Sequence, residues 1–465
     1  MGNQEICWMS AVDLAKAIRK KKLSPVEVVR DILERIEACN PKINAYVTLT
    51  ADSALVAAKQ AEEAVMRGEE LGPLHGVPVS IKDIVFTKGV RTTFGSKLLE
   101  NFVPEEDAVH VARLKEAGVI VLGKTNTAEF GWKPLTDNPL FGITRNLWNL
   151  ERTSGGSSGG AAASVATGLG PLAVGSDGGG SIRIPASCCG VFGLKPQFGR
   201  VPRYPTISPA LAILSHEGPI ARTVSDATLM LDVMAGPHWG DGYSIPAPGV
   251  SFAESLEGDI KGLRIAWSTD MGYATVDPQV QTICEQAAKV FSEMGAEVEE
   301  AHPGFGNQET HLVTLFGADI LAAISGIGPV EEIKDRLDPF MAALLPTMRE
   351  LKATDYAKAM FARQELKVKA GMFFQTYDLL LTPTLSAPPI SVEIKEPLGF
   401  LPWMPFAFPF NFTGQPAASV PAGWTEDGLP VGLQVVGWAY DEATVLRAAA
   451  AFEEAQPWAH RKAPL

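Results

Sequence analysis

Positive charge is in short supply in this chain. It carries 40 Lys and Arg against 53 Asp and Glu, a formal net charge of −13 over 465 residues, and its one basic run is Arg19 to Lys22. Phosphates are held by clustered Lys and Arg, so this balance speaks against a nucleic-acid partner. Cysteine is scarce too. Cys7, Cys39, Cys188, Cys189 and Cys284 form neither a metal-ligand spacing nor an even disulfide framework, a pattern that suits a reducing cytoplasm. No uninterrupted apolar stretch approaches the roughly 20 residues of a membrane span. The first residues show no charged region followed by an apolar core, and Ile6 stands where a myristoylation motif after Gly2 wants Ser or Thr. The expectation is a soluble, cytoplasmic protein.

What the chain has instead is glycine and serine, tied in two knots. The first is Ser154-Gly155-Gly156-Ser157-Ser158-Gly159-Gly160, and the second runs from Gly178-Gly179-Gly180-Ser181 into Ile182-Arg183-Ile184-Pro185. Between them, Ala161 to Gly168 reads as a helix and Pro171 to Val174 as a short strand, which leaves no room for a linker. Dense glycine marks a constrained loop that exposes main-chain N–H groups. The knots lack the Lys of a phosphate-binding loop and the G-x-G-x-x-G spacing of a dinucleotide site, so no cofactor is implied. Gly155, Ser157 and Gly159 match G-x-S-x-G, but that elbow follows a strand and Asn146 to Thr153 is polar and broken. Acyl transfer by a serine nucleophile remains, with Gly178, Gly179, Gly180 and Ser181 offering N–H donors to an oxyanion.

Such a serine needs a base. Gly76-Val77-Pro78-Val79-Ser80-Ile81-Lys82-Asp83 reads as a buried strand ending in Lys82, and a lysine drawn out of water loses affinity for its proton.

Lys82 in G-V-P-V-S-I-K-D, Ser157 in G-G-S-S-G-G and Ser181 in D-G-G-G-S-I-R-I-P, the two serines 24 residues apart, closely resemble the amidase signature family. Gly123 to Asn126, Cys189 to Pro196, Gly218 to Arg222, Leu381 to Thr384 and Gly414 to Ala417 are similar to further family blocks, so the resemblance covers most of the chain. It implies one large α/β domain over 1–465, with a central mixed β-sheet surrounded by helices. Within it lie a helical scaffold (1–70), a catalytic core (76–200) and pocket loops (304–354 and 396–413). It also implies a Ser-cisSer-Lys triad. Ser181 is the nucleophile, Ser157 the relay behind a cis peptide bond and Lys82 the base. Asp177 and Arg183 form an ion pair that fixes the oxyanion loop, Ser158 supports by hydrogen bonding, and Gly131 touches substrate.

The rest of the chain supplies scaffold and pocket. Residues 9 to 70 read as helices, with Ser24 capping one that starts at Pro25. Val77 to Ile81, Val119 to Leu122 and Leu172 to Val174 read as strands, and His110 as a structural residue. Leu263 to Trp267, a helix over 280–294 and Ala296 to Glu300 form a strand-helix-strand unit extending the same sheet. The segment from Gly304 to Thr354 is expected to shape part of the substrate pocket. Phe400, Trp403 and Phe406, with Phe408, Phe410 and Phe412, form either a core loop or an aromatic wall. Glutamine-using relatives carry an acid that falls here at Met404, which points away from glutamine and toward an uncharged, hydrophobic amide. Small amides, esters and aryl carbamates are the expected substrates, with a glutaminase subunit of an aminoacyl-tRNA amidotransferase as the alternative. The resemblance also admits a homodimer.

Overall fold

Short β-branched and small-residue runs, punctuated by Gly and Pro, dictate short strands. In the computed structural model, which describes residues 5–206, 213–394 and 396–464, these are β1 (Tyr46–Leu49), β2 (Pro78–Lys82), β3 (Ile120–Thr125), β4 (Leu172–Asp177), β5 (Phe192–Lys195), β6 (His216–Ala221), β7 (Arg264–Trp267), β8 (Glu297–Glu300), β9 (Leu379–Pro383), β10 (Ala417–Trp424) and β11 (Pro430–Gly437). All eleven join one sheet in the order β1-β3-β2-β4-β6-β5-β10-β11-β9-β7-β8. It is mixed: β2 runs parallel to both β3 and β4, whereas β4, β6, β5, β10, β11 and β9 alternate in direction. Every residue of β2 and β4 is buried, as expected where helices cover both faces of a sheet. The carboxyl ends of β2 and β4 lie side by side through the pairing of Ile81 with Val174. Lys82 and the loop after Asp177 therefore emerge at the same edge, where open α/β sheets place their ligands.

The two knots are continued by short buried helices, Gly159–Ala166 and Arg183–Cys189. Small residues are required there by close approach: a Cβ on Gly160 would sit 2.4 Å from the Asn126 backbone nitrogen, and one on Gly156 would sit 2.5 Å from the Leu135 carbonyl carbon. A second apolar cluster, built mainly from residues of 305–374 and 400–412, packs beyond the main one that underlies the sheet.

One expectation needs correction here. The N-terminal segment is not wholly helical. Helices Ala11–Arg19, Pro25–Ile43 and Ala51–Arg67 are interrupted by β1, which pairs antiparallel with β3. The Asn40 side chain makes the turn by accepting from Ala45 and Tyr46 N–H and donating to the Tyr46 carbonyl. Helix Glu309–Ile327 is by length and composition apolar enough to cross a membrane, at mean hydropathy 1.5, but His311 and Asp319 interrupt its apolar run, as the sequence reading has it. Its apolar side chains Leu312, Phe316 and Ile320 line a cavity beside Ser181.

Candidate active site

Lys82 closes β2 with its ammonium nitrogen inside the protein. Nζ lies 2.7 Å from Ser157 Oγ, 2.8 Å from Ser158 Oγ and 2.9 Å from Ser176 Oγ. Burial lowers its pKa from 10.5 to about 7, against the opposing charges of Glu217 and Asp177. The hydroxyl directions follow from proton bookkeeping. Ser158 gives its own proton to the Ser176 carbonyl and takes the Ser176 N–H, so toward Lys82 it acts as an acceptor. Ser157 is free to donate to the lone pair of a neutral Lys82.

The first knot is held open by Thr136, whose hydroxyl donates to the Gly155 carbonyl and accepts the Gly159 N–H. The peptide bond between Gly156 and Ser157 is cis, as the family resemblance implies. Gly131, at φ +73°, lies against this hydroxyl, and a Cβ there would come within 3.2 Å of Ser157 Oγ. The two knots are joined by the Ser158 N–H, which donates to the Ser181 carbonyl at 3.2 Å.

The second knot is fixed from beneath by Asp177 and Arg183. Arg183 Nε and Nη2 meet the two Asp177 oxygens at 2.9 Å each, and its Nη1 and Nη2 also donate to the Ala407 carbonyl, Gln434 Oε1 and Asn411 Oδ1. Burial alone would push the Asp177 carboxyl up; the Arg183 charge and hydrogen bonds, with Lys195 and Asn411, hold it well below the usual carboxylate range. Asn411 in turn donates to the Asp177 carbonyl and to the Leu214 carbonyl. One expected oxyanion donor is spent in this network. The Gly180 N–H donates to Asp177 Oδ1 at 2.7 Å, so it points into the support and away from the cavity. The N–H groups of Gly178, Gly179 and Ser181 have no acceptor among the described residues and remain as donors.

Ser181 is the most open of the three side chains, 8% exposed against 1% for Ser157 and 0% for Lys82. It lines two cavities. The larger, about 440 Å³, is walled mainly by apolar side chains, with Gly131, Phe400 and Met404 at the positions expected from sequence. Trp403 and Phe406 are not among its lining residues. Trp403 donates through Nε1 to the Ala387 carbonyl, and Phe406 is fully buried in the cluster behind. The loop is thus partly wall and mostly core. Helices Glu309–Ile327 and Pro339–Arg349 supply much of the remaining wall, so residues 304–354 line the cavity with helices where the sequence reading expected a loop. The smaller cavity, about 80 Å³, is lined by Ser157, Ser176 and Ser181 together with Glu217. Sequence reading missed Ser176, Glu217, Gln434 and Phe316; of these only Ser176 had a local signal, as the small polar residue before Asp177 at a strand end.

A family model described as Amidase matches residues 27–446. An acylamidase of Rhodococcus erythropolis is 40% identical, over 99% of this chain and 98% of its own length. A glutamyl-tRNA(Gln) amidotransferase subunit of Geobacter metallireducens is 38% identical, covering 99% of each chain. Among solved structures, a bacterial aryl acylamidase of the amidase signature enzymes superposes with a TM-score of 0.91 at 31% identity, over 98% of this chain and 99% of the other. With the fold, the motif order and these likenesses in agreement, the chain belongs to the amidase signature family, hydrolases of amide C–N bonds.

Proposed function

We propose that the protein hydrolyses uncharged, hydrophobic or aryl amides through an acyl-enzyme on Ser181. The observation that carries this reading is the buried amine of Lys82, 2.7 Å from Ser157 Oγ and with its pKa lowered by burial to about 7. Ser181 Oγ attacks the amide carbon while its proton passes to Ser157 and the Ser157 proton passes to Lys82. The oxyanion is met by the Gly178, Gly179 and Ser181 N–H groups. Collapse breaks the C–N bond, and the leaving nitrogen takes a proton back from Ser157, which is resupplied by Lys82. Water then attacks the acyl-enzyme through the same relay and releases the acid. In the resting structure no hydrogen bond joins Ser157 Oγ to Ser181 Oγ among the described residues; such contacts commonly tighten only around bound substrate. Esters and aryl carbamates are open to the same sequence of steps.

The apolar wall of the larger cavity, with Met404 on it, supports a hydrophobic acyl group. The likeness to glutamyl-tRNA(Gln) amidotransferase subunits favours a second reading, a glutaminase that works in a complex. A rate comparison on the purified chain separates the two. A hydrophobic anilide and an aryl carbamate should turn over, glutamine should not, and Ser181→Ala should abolish the activity. Turnover of glutamine alone would overturn the first reading.

A further inference from the structure

The two cavities that meet at Ser181 differ in which other hydroxyl they reach. Ser157 lines the smaller cavity and is not among the lining residues of the larger. A leaving nitrogen must take its proton from the relay hydroxyl, so it departs on the Ser157 side. On the acyl-enzyme reading above, the acyl group therefore occupies the cavity of about 440 Å³ and the leaving amine the one of about 80 Å³, which restricts the amine to a short group.

Two of the residues that line that smaller cavity, Glu217 and His110, each carry a buried acceptor with nothing to accept. Glu217 sits in β6 directly across from Ser176 in β4 and is 5% exposed. Its Oε1 takes the Arg203 Nε–H at 3.3 Å, and its Oε2 has no partner among the described residues. His110, in helix Val109–Glu116, is 2% exposed. Its Nδ1 lies 3.2 Å from the Pro202 carbonyl and must carry the proton, which leaves Nε2 a bare acceptor, again without a partner. Burial lowers this imidazole to about 4, so it is neutral near pH 7. Buried acceptors are nearly always paired, and leaving one unpaired is costly. Two in one cavity call for a ligand rich in donors. Phe86, Phe94 and Phe130 line the same space, and aromatic faces favour a cation; Arg203, which also lines it, has its charge met by Glu217 Oε1.

We propose that the small cavity is a leaving-amine subsite in which Glu217 Oε2 and His110 Nε2 accept hydrogen bonds from a second amino or ammonium group. The preferred substrates are then hydrophobic acyl amides of short diamines. This goes beyond the acyl-enzyme reading but rests on it.

The test compares N-(2-aminoethyl)-4-phenylbutanamide with N-propyl-4-phenylbutanamide at pH 8. The wild type should favour the aminoethyl amide at least tenfold in kcat/KM, and Glu217→Gln should bring that preference below threefold. Because Glu217 also acts on Lys82, the variant alters both rates, and the ratio removes that common effect. A wild-type ratio near one, or a ratio untouched by Glu217→Gln, overturns the proposal. A measurement on the wild type alone guards against misfolding of the variant: 1,2-diaminoethane should inhibit competitively at least tenfold more strongly than propylamine, and equal inhibition overturns the subsite. Ser181→Ala run beside these separates the two levels. Loss of both activities in that variant leaves the acyl-enzyme reading standing whatever the ratio, and retained activity removes that reading and the subsite with it.

Discussion

Lys82→Met should abolish activity and, at the same time, change how stability depends on pH. In the folded chain Lys82 has its pKa lowered by burial from 10.5 to about 7. Below that value it is charged in both folded and unfolded chains, and above 10.5 it is neutral in both. Between them the unfolded chain holds the extra proton, so raising the pH favours the fold. With each pKa unit worth about 1.4 kcal/mol, the wild type should gain about 2 kcal/mol on Lys82→Met between pH 7 and pH 9. Urea unfolding of both proteins, followed by tryptophan fluorescence at several pH values, reads this difference directly and cancels the groups they share. On the proposed mechanism the same group also sets the rate. Only neutral Lys82 accepts a proton, so kcat/KM should rise about tenfold between pH 6 and pH 8 and then level off. Parallel stability curves for the two proteins, or a rate that falls steadily from pH 6 to 9 in folded enzyme, would refute the reasoning.

Three other substitutions test the surroundings. Arg183→Met leaves Asp177 buried and unpaired, which should cost about 3–5 kcal/mol in urea unfolding; a loss below about 1 kcal/mol would mean the pair does not hold the loop. Gly180→Ala should destabilise the fold severely, because φ is +121° and the new Cβ would lie 2.6 Å from Ile184 Cδ1 and 2.7 Å from Ala407 Cβ; wild-type stability in that variant would contradict the packing described. Phe316→Ala removes part of the large cavity wall and should lower kcat/KM for a hydrophobic anilide by about 1–2 kcal/mol, or five- to thirtyfold. An unchanged rate would place the acyl group elsewhere.

The residues proposed to react were legible as candidates because each is announced by its own neighbours. Lys82 ends an alternating apolar run, and Ser157 and Ser181 sit in dense glycine clusters that mark constrained loops. The strand-helix-strand unit of β7, helix Pro278–Glu293 and β8 was equally plain, since its periodicity switches within a few residues. What escaped depends on distant partners. Tyr46–Leu49 is a strand only because β3, many residues later, pairs with it. Glycines at 178 to 180 advertise backbone N–H groups, but not that the one at Gly180 is taken by Asp177. Trp403 and Phe406 share with Phe400 a spacing that serves wall and core alike, and only the packed fold divides them. Glu217 gave no local signal at all, because its meaning comes from facing Ser176 across two antiparallel strands.

The most direct measurement is to find the acyl group. Wild-type enzyme mixed with an activated ester of a hydrophobic acid, quenched in acid within a single turnover and digested, should show by mass spectrometry the acyl mass on the peptide containing Ser181, and Ser181→Ala should show none. An acyl mass on Ser157, or an adduct that persists in Ser181→Ala, would contradict the account.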